Sequence, residues 1–204
     1  MRKLFIGSMG TLGVISEITL HLRPIPKDES VVFLEFHHDD EEAIRSVVVE
    51  LLDTKLEPTT LELFTPHLSE QLLNKKNYTF VISFEGVSKA IQYEEKFVKK
   101  LIGGKNITMT VYKGEELQKF WNQFYSLRPN ASITQDVKNE ETTAVLKIGV
   151  KNLDIISILK DGDKLANSHN ILLEGHGGAG HGLCELTLKG ESEAVLQVIK
   201  KIRQ

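Results

Sequence analysis

Three short stretches of this 204-residue chain hold residue types from which a reactive site could be built. The first is GSMGTLGV at 7–14, where Gly7, Gly10 and Gly13 recur at every third position with Ser8 and Thr11 beside them. Glycines at that spacing mark a backbone that bends through φ > 0 or comes close to another group. Exposed backbone N–H groups next to hydroxyls suit an anionic or polar ligand, such as a pyrophosphate or the rim of a flavin. A tight strand–turn–strand is the other reading. The pattern is neither the dinucleotide fingerprint nor the lysine-containing phosphate loop. The second stretch is LLEGHGGAGHGLCEL at 172–186, a run of glycines expected to form an irregular loop, with His176 and His181 inside it. An imidazole there is either an exposed hairpin side chain or a proton acceptor. The two histidines could chelate, but a zinc ion needs further ligands and none stands nearby in the sequence, so no metal is expected. The third stretch is WNQFYSLRP at 121–129, where Arg128 closes an aromatic helix. Read from the residues, it is a cation favoured by the helix C-terminus.

These groups need elements to hold them, and hydrophobic periodicity supplies a list. Strands are predicted at 31–37, 59–64, 78–85, 106–112, 143–150, 170–174 and 183–188, and helices at 39–56, 66–74, 88–102, 114–127, 152–167 and 191–203. KLFI at 3–6 and the alternating VISEITLHL at 14–22 also read as strand-like. The order implies an α+β fold, a ferredoxin-like antiparallel sheet with helices on one face, in which the second half repeats the β-α-β-β-α order and ends without a closing strand. Residues 1–28, rich in glycine and closed by Pro24 and Pro26, look like a piece of a different domain, so the boundaries are 1–28 and 29–204.

Composition narrows the function. A 41% hydrophobic, 26% charged chain with a formal charge of −3 is globular, and its scattered Lys and Arg do not favour nucleic acid. The lone Cys184 excludes an internal disulfide and fits a reducing cytoplasm. No apolar run reaches the roughly 18 residues of a membrane span.

The segment RKLFIGSMGTLGVISEITLHLRPIP carries a resemblance. It is similar to the G-S-E-G-T-L-G-V-I-T-E segment that ends the FAD-binding domain in FAD-linked oxidases of the vanillyl-alcohol oxidase superfamily, and most resembles the glycolate oxidase flavin subunits and D-lactate dehydrogenases. The resemblance implies FAD as cofactor, contacted by Gly7, Ser8, Gly10, Thr11, Gly13, Val14 and Ile15, with Met9 in place of the usual acidic residue. It implies that 29–204 is the substrate or cap domain and that the chain is a C-terminal piece of a longer flavoprotein. GHGGAG resembles the loop of metal-dependent 2-hydroxy acid dehydrogenases, but Ala179 and Leu183 replace two of their polar residues, which points to the metal-free branch. By the same resemblance His176 and Arg128 are the expected catalytic residues, acting on a small 2-hydroxy acid such as glycolate or D-lactate. Flavoprotein and iron–sulfur subunits are the expected partners. The alternative is a flavin-free, ferredoxin-like scaffold subunit of such a complex, since no complete cofactor motif lies within the chain.

Overall fold

The computed structural model describes residues 2–8, 10–22, 24–37, 41–127 and 142–203. After a single helical turn α1 (Arg2–Phe5), the chain runs β1 (Asp28–Phe36), α2 (Glu41–Leu52), β2 (Thr60–Phe64), α3 (Pro66–Leu73), β3 (Thr79–Gly86), α4 (Ser88–Leu101), β4 (Ile107–Tyr112) and α5 (Gly114–Ser126). It continues through β5 (Thr142–Gly149), α6 (Asp154–Ser168), β6 (Leu172–Gly178), β7 (Leu183–Gly190) and α7 (Ser192–Ile202). The strands form one seven-stranded antiparallel sheet in the order β4-β1-β3-β2-β6-β7-β5. The first four are a ferredoxin-like 4-1-3-2 arrangement. The last three repeat it in mirror order, 2-3-1, and among the described residues no fourth strand covers β5. The two halves join where β2 pairs with β6.

Local sequence explains the elements. In α2, Glu41 and Glu42 occupy the first turn, where the helix dipole favours carboxylates, and the buried Ile44, Val47, Val48 and Leu51 form one stripe. In α3, Pro66 starts the helix and Asn74 ends it in the left-handed region at φ 55°. Along β1, Val32, Leu34 and Phe36 point to the face carrying α2, α4, α6 and α7. Val31 and Phe33 point to the opposite face, against α3 and α5. The helices of both ferredoxin-like units thus share one face, as expected, and α3 and α5 add a smaller layer on the other. That second layer is aromatic: the Phe120 ring meets Phe33 edge-on with centroids 4.9 Å apart and lies 6.4 Å from Phe64.

Two expectations fail. Residues 3–5 fall within a helical turn, and 14–22 join no sheet: Val14, Ile18, Leu20 and Leu22 are all exposed. An alternating pattern becomes a strand only when a neighbour accepts its backbone groups, and among the described residues none does. The second failure is at the histidine motif. Residues 175–178 continue strand β6, and only the four residues 179–182 turn.

Candidate functional site

The glycines of β6 are there for close packing. A Cβ on Gly177 would lie 2.9 Å from Cys184 Sγ and 3.2 Å from Ile155 Cβ, and one on Gly175 would lie 2.9 Å from Leu186 Cδ2 and 3.1 Å from Thr65 Cγ2. Both positions need the smallest residue so that β7, α6 and the start of α3 can close on the strand. Thr65, the cap residue of α3, fastens the same point: its N–H donates to Gly175 O at 2.9 Å, and its Oγ1 accepts from Gly175 N–H at 3.0 Å. Because side chains alternate along a strand, placing Gly175 and Gly177 against the core sends His176 to the other face.

There His176 stands beside the end of α5. Phe124 stacks on Phe64 with centroids 5.4 Å apart and an interplanar angle of 7°, and its ring meets the imidazole edge-on at 5.3 Å. His176 Nδ1 is 3.0 Å from Glu62 Oε2, and its Nε2 is 3.7 Å from Glu185 Oε1. Glu62 Oε1 lies 3.5 Å from His181 Nε2. The His181 ring covers Gly178, where any Cβ would collide with it. Beyond His176, Glu174 pairs with Lys189 at 2.7 Å. His176, Glu185, Glu174 and Lys189, with Thr143 and Thr187, form the polar floor of a cleft of about 370 Å³ whose walls are Leu68, Phe124, Tyr125, Leu127 and Val145. A larger hollow of about 860 Å³ lies between residues 25–29, α4 and α5, but its polar lining is mostly exposed lysine, glutamate and amide side chains. The His176 cleft is the one that joins an oriented imidazole to an apolar wall, which is what a reactive pocket requires.

The predicted site residues fare unequally. His176 lines the cleft. Arg128 lies outside the described residues and follows directly on Leu127, which lines the cleft. Tyr125 is 68% exposed at the rim. Gly7, Gly10 and Gly13 take φ of +85°, +79° and +153°, the left-handed backbone their spacing predicts. Around them, the hydrogen bonds stay local: Ser8 N–H donates to Phe5 O at 3.3 Å, and Thr11 donates to Ser8 O through its N–H at 3.0 Å and its hydroxyl at 2.7 Å. No hydrogen bond, ion pair or ring contact among the described residues joins Gly7–Ile15 to the His176 cleft. Nothing stands within 4 Å of the space a Cβ would fill at Gly7 or Gly10, so the edge of a planar ligand can approach this backbone. That open backbone face is compatible with the flavin contact the resemblance implies.

Glu62 and Glu185 escaped the sequence reading because each is one acidic residue in an alternating strand. Only the pairing of β2 and β7 with β6 brings them to the histidine. Ala179 is buried against the core and donates its N–H to Leu61 O at 2.8 Å, which leaves no place for a carboxylate. Cys184 is buried in the core. Burial, together with the charge of Glu62, pushes its thiol up to about 12.

The fold defines the class of structure to which the chain is similar, that of FAD-linked oxidases. In particular it is similar to two crystal forms of alkyldihydroxyacetonephosphate synthase, at TM-scores of 0.61 and 0.62 and 15% identity over 98% of this chain. It is also similar to 4-ethylphenol oxidase from Gulosibacter chungangensis in its isoeugenol complex, at a TM-score of 0.58 and 10% identity over 90% of the chain. The chain spans 42–44% of the length of these structures. At such identities the likeness is one of fold. No protein-family model and no curated protein sequence matches the chain.

Proposed function

We propose that this chain is the substrate-side part of a flavin-dependent oxidoreductase that oxidises a small 2-hydroxy acid of the glycolate or D-lactate type. The observation that carries the reading is His176, held by a carboxylate at one nitrogen and set against an apolar wall, in a fold shared with FAD-linked oxidases. When bound, FAD supplies the hydride acceptor. The Gly7–Ile15 segment would hold one edge of it, through Gly7, Ser8, Gly10, Thr11, Gly13, Val14 and Ile15. His176 Nε2 would take the proton of the substrate hydroxyl, and the neighbouring Glu185 would favour the resulting imidazolium. Arg128 would receive the substrate carboxylate with two parallel hydrogen bonds. Leu68, Phe124 and Leu127 would keep water from the reacting carbon.

The test uses the protein joined to its FAD-binding part and follows reduction of bound flavin by D-lactate or glycolate in stopped flow. His176→Gln should slow reduction by about 10²- to 10⁴-fold with flavin content unchanged. An unchanged rate removes His176 from the chemistry. Failure of both hydroxy acids to reduce the wild-type flavin refutes the substrate class.

A further inference from the structure

We infer that Glu62 is a positioning residue that fixes which nitrogen of His176 faces the cleft. The inference rests on the reading of His176 given above and concerns Glu62, a residue that the sequence did not single out. Glu62 is only 14% exposed, and each of its oxygens faces a different imidazole: Oε2 is 3.0 Å from His176 Nδ1, and Oε1 is 3.5 Å from His181 Nε2.

The tautomer of His181 follows from its other nitrogen. The backbone N–H of Leu183 donates to His181 Nδ1 at 3.2 Å, so in the neutral ring Nδ1 is the acceptor and Nε2 carries the hydrogen that points at Glu62. The Glu62 carboxylate thus lies between two imidazoles, hydrogen-bonded to that of His176 and 3.5 Å from that of His181. An ionised carboxylate is acceptor-only, so its second oxygen calls for a hydrogen on His176 Nδ1. That leaves Nε2 of the neutral ring as the lone-pair nitrogen. Aromatic contacts set the plane of the ring: Phe124 meets it edge-on at 5.3 Å and Phe64 at 6.2 Å. The Glu62 hydrogen bond and the two aromatic contacts together present one nitrogen to the substrate in one orientation. Loss of such an orienting carboxylate leaves the base in place with the wrong hydrogen on it.

Among the described residues, the charged and titratable groups near the ring are Glu62 from β2, Glu185 from β7 with Lys147 of β5 at 3.5 Å from it, His181 from the turn, and the Glu174–Lys189 pair in the same cleft. Of these, only Glu62 lies within hydrogen-bond distance of a His176 ring nitrogen.

The experiment is a long-range ¹H–¹⁵N correlation spectrum of the ¹⁵N-labelled 204-residue chain, recorded where the imidazoles are neutral. His176 should show a protonated Nδ1 and a bare Nε2. Glu62→Gln, which keeps an acceptor oxygen, should retain that signature, and Glu62→Leu should lose it to the Nε2–H form. A wild-type His176 with its hydrogen on Nε2, or a signature unchanged in Glu62→Leu, overturns the assignment. If Glu62→Leu fails to fold, the wild-type spectrum alone decides. In the flavin-loaded protein, Glu62→Leu should lower kcat about tenfold or more with KM nearly constant, and a rise in KM at constant kcat counts against the assignment. The spectrum needs no turnover. Glu62 can therefore be right about His176 even if neither hydroxy acid proves to be a substrate.

Discussion

Gly177→Ala is the sharpest test of why β6 is rich in glycine. The added methyl would sit 2.9 Å from Cys184 Sγ, 3.2 Å from Ile155 Cβ and 3.4 Å from Leu159 Cδ1. Optimal carbon contacts begin near 3.5 Å, so the shortest of these falls short by roughly 0.6 Å. Overpacking of this kind costs about 1–3 kcal/mol. Against it stands the stabilisation of about 0.4–1 kcal/mol that alanine brings by narrowing the unfolded ensemble. Taken at the middle of both ranges, the net loss is about 1.3 kcal/mol, which at a urea m-value of about 2 kcal/mol/M moves the midpoint down by about 0.7 M. Gly180 is the control, because a Cβ there meets nothing within 4 Å, and Gly180→Ala should change stability by less than about 0.5 kcal/mol. Removing the sulfur gives a second check. Combined with Cys184→Ala, Gly177→Ala should cost about 1 kcal/mol less than it does alone, and a double-mutant cycle in urea measures that coupling. If Gly177→Ala is neutral, or its cost is independent of Cys184, the close-packing explanation is wrong and the glycines serve flexibility instead.

Two further outcomes follow from buried groups elsewhere. Burial works against ionisation of Glu35, but hydrogen bonds from Asn77 and Lys75 and the charges of Lys75 and His37 outweigh it and hold the carboxyl below its usual range. A carboxylate depressed in the folded state contributes stability that is fully present above its unfolded pKa of about 4.3 and is lost as pH falls through the folded value. Glu35→Gln should therefore flatten the acid limb of a stability–pH profile, and an unchanged limb would exclude Glu35 as its source. Cys184, with its thiol pushed up to about 12, should react with a thiol reagent at neutral pH only as fast as the chain opens, so labelling should accelerate in urea alongside the loss of far-ultraviolet circular dichroism. Rapid labelling of the native chain would place this cysteine outside the core.

The sheet and its main helices were legible because their signals are local and repeated. The stripe through Val47 and Leu51 in α2 and the apolar runs of β1 and β3 require only period and burial. The site was legible in part. His176 announced itself by its chemistry, but the glycines around it gave a misleading cue, since glycine that permits a loop and glycine that permits close packing are written with the same letter. Glu62, 114 positions away in the chain, carries no local mark at all. Its place beside His176 exists only through the register of β2 on β6. The strand pattern of 14–22 misled for the opposite reason, being a local signal with no neighbouring strand to complete it among the described residues.

The junction of β2 with β6 has one more consequence. Leu63 pairs with Gly177, and the local twofold axis of this antiparallel ladder at that pair carries Glu62 onto His176. Carboxylate and imidazole are thus symmetry mates across the only ladder that joins the two ferredoxin-like units among the described residues. Neither unit owns the pair. A one-residue slip of β2 on β6 would turn the Glu62 side chain to the sheet face opposite His176. The pair is therefore made by the seam itself, and any reactivity of His176 that depends on Glu62 arises only after both units have folded and docked.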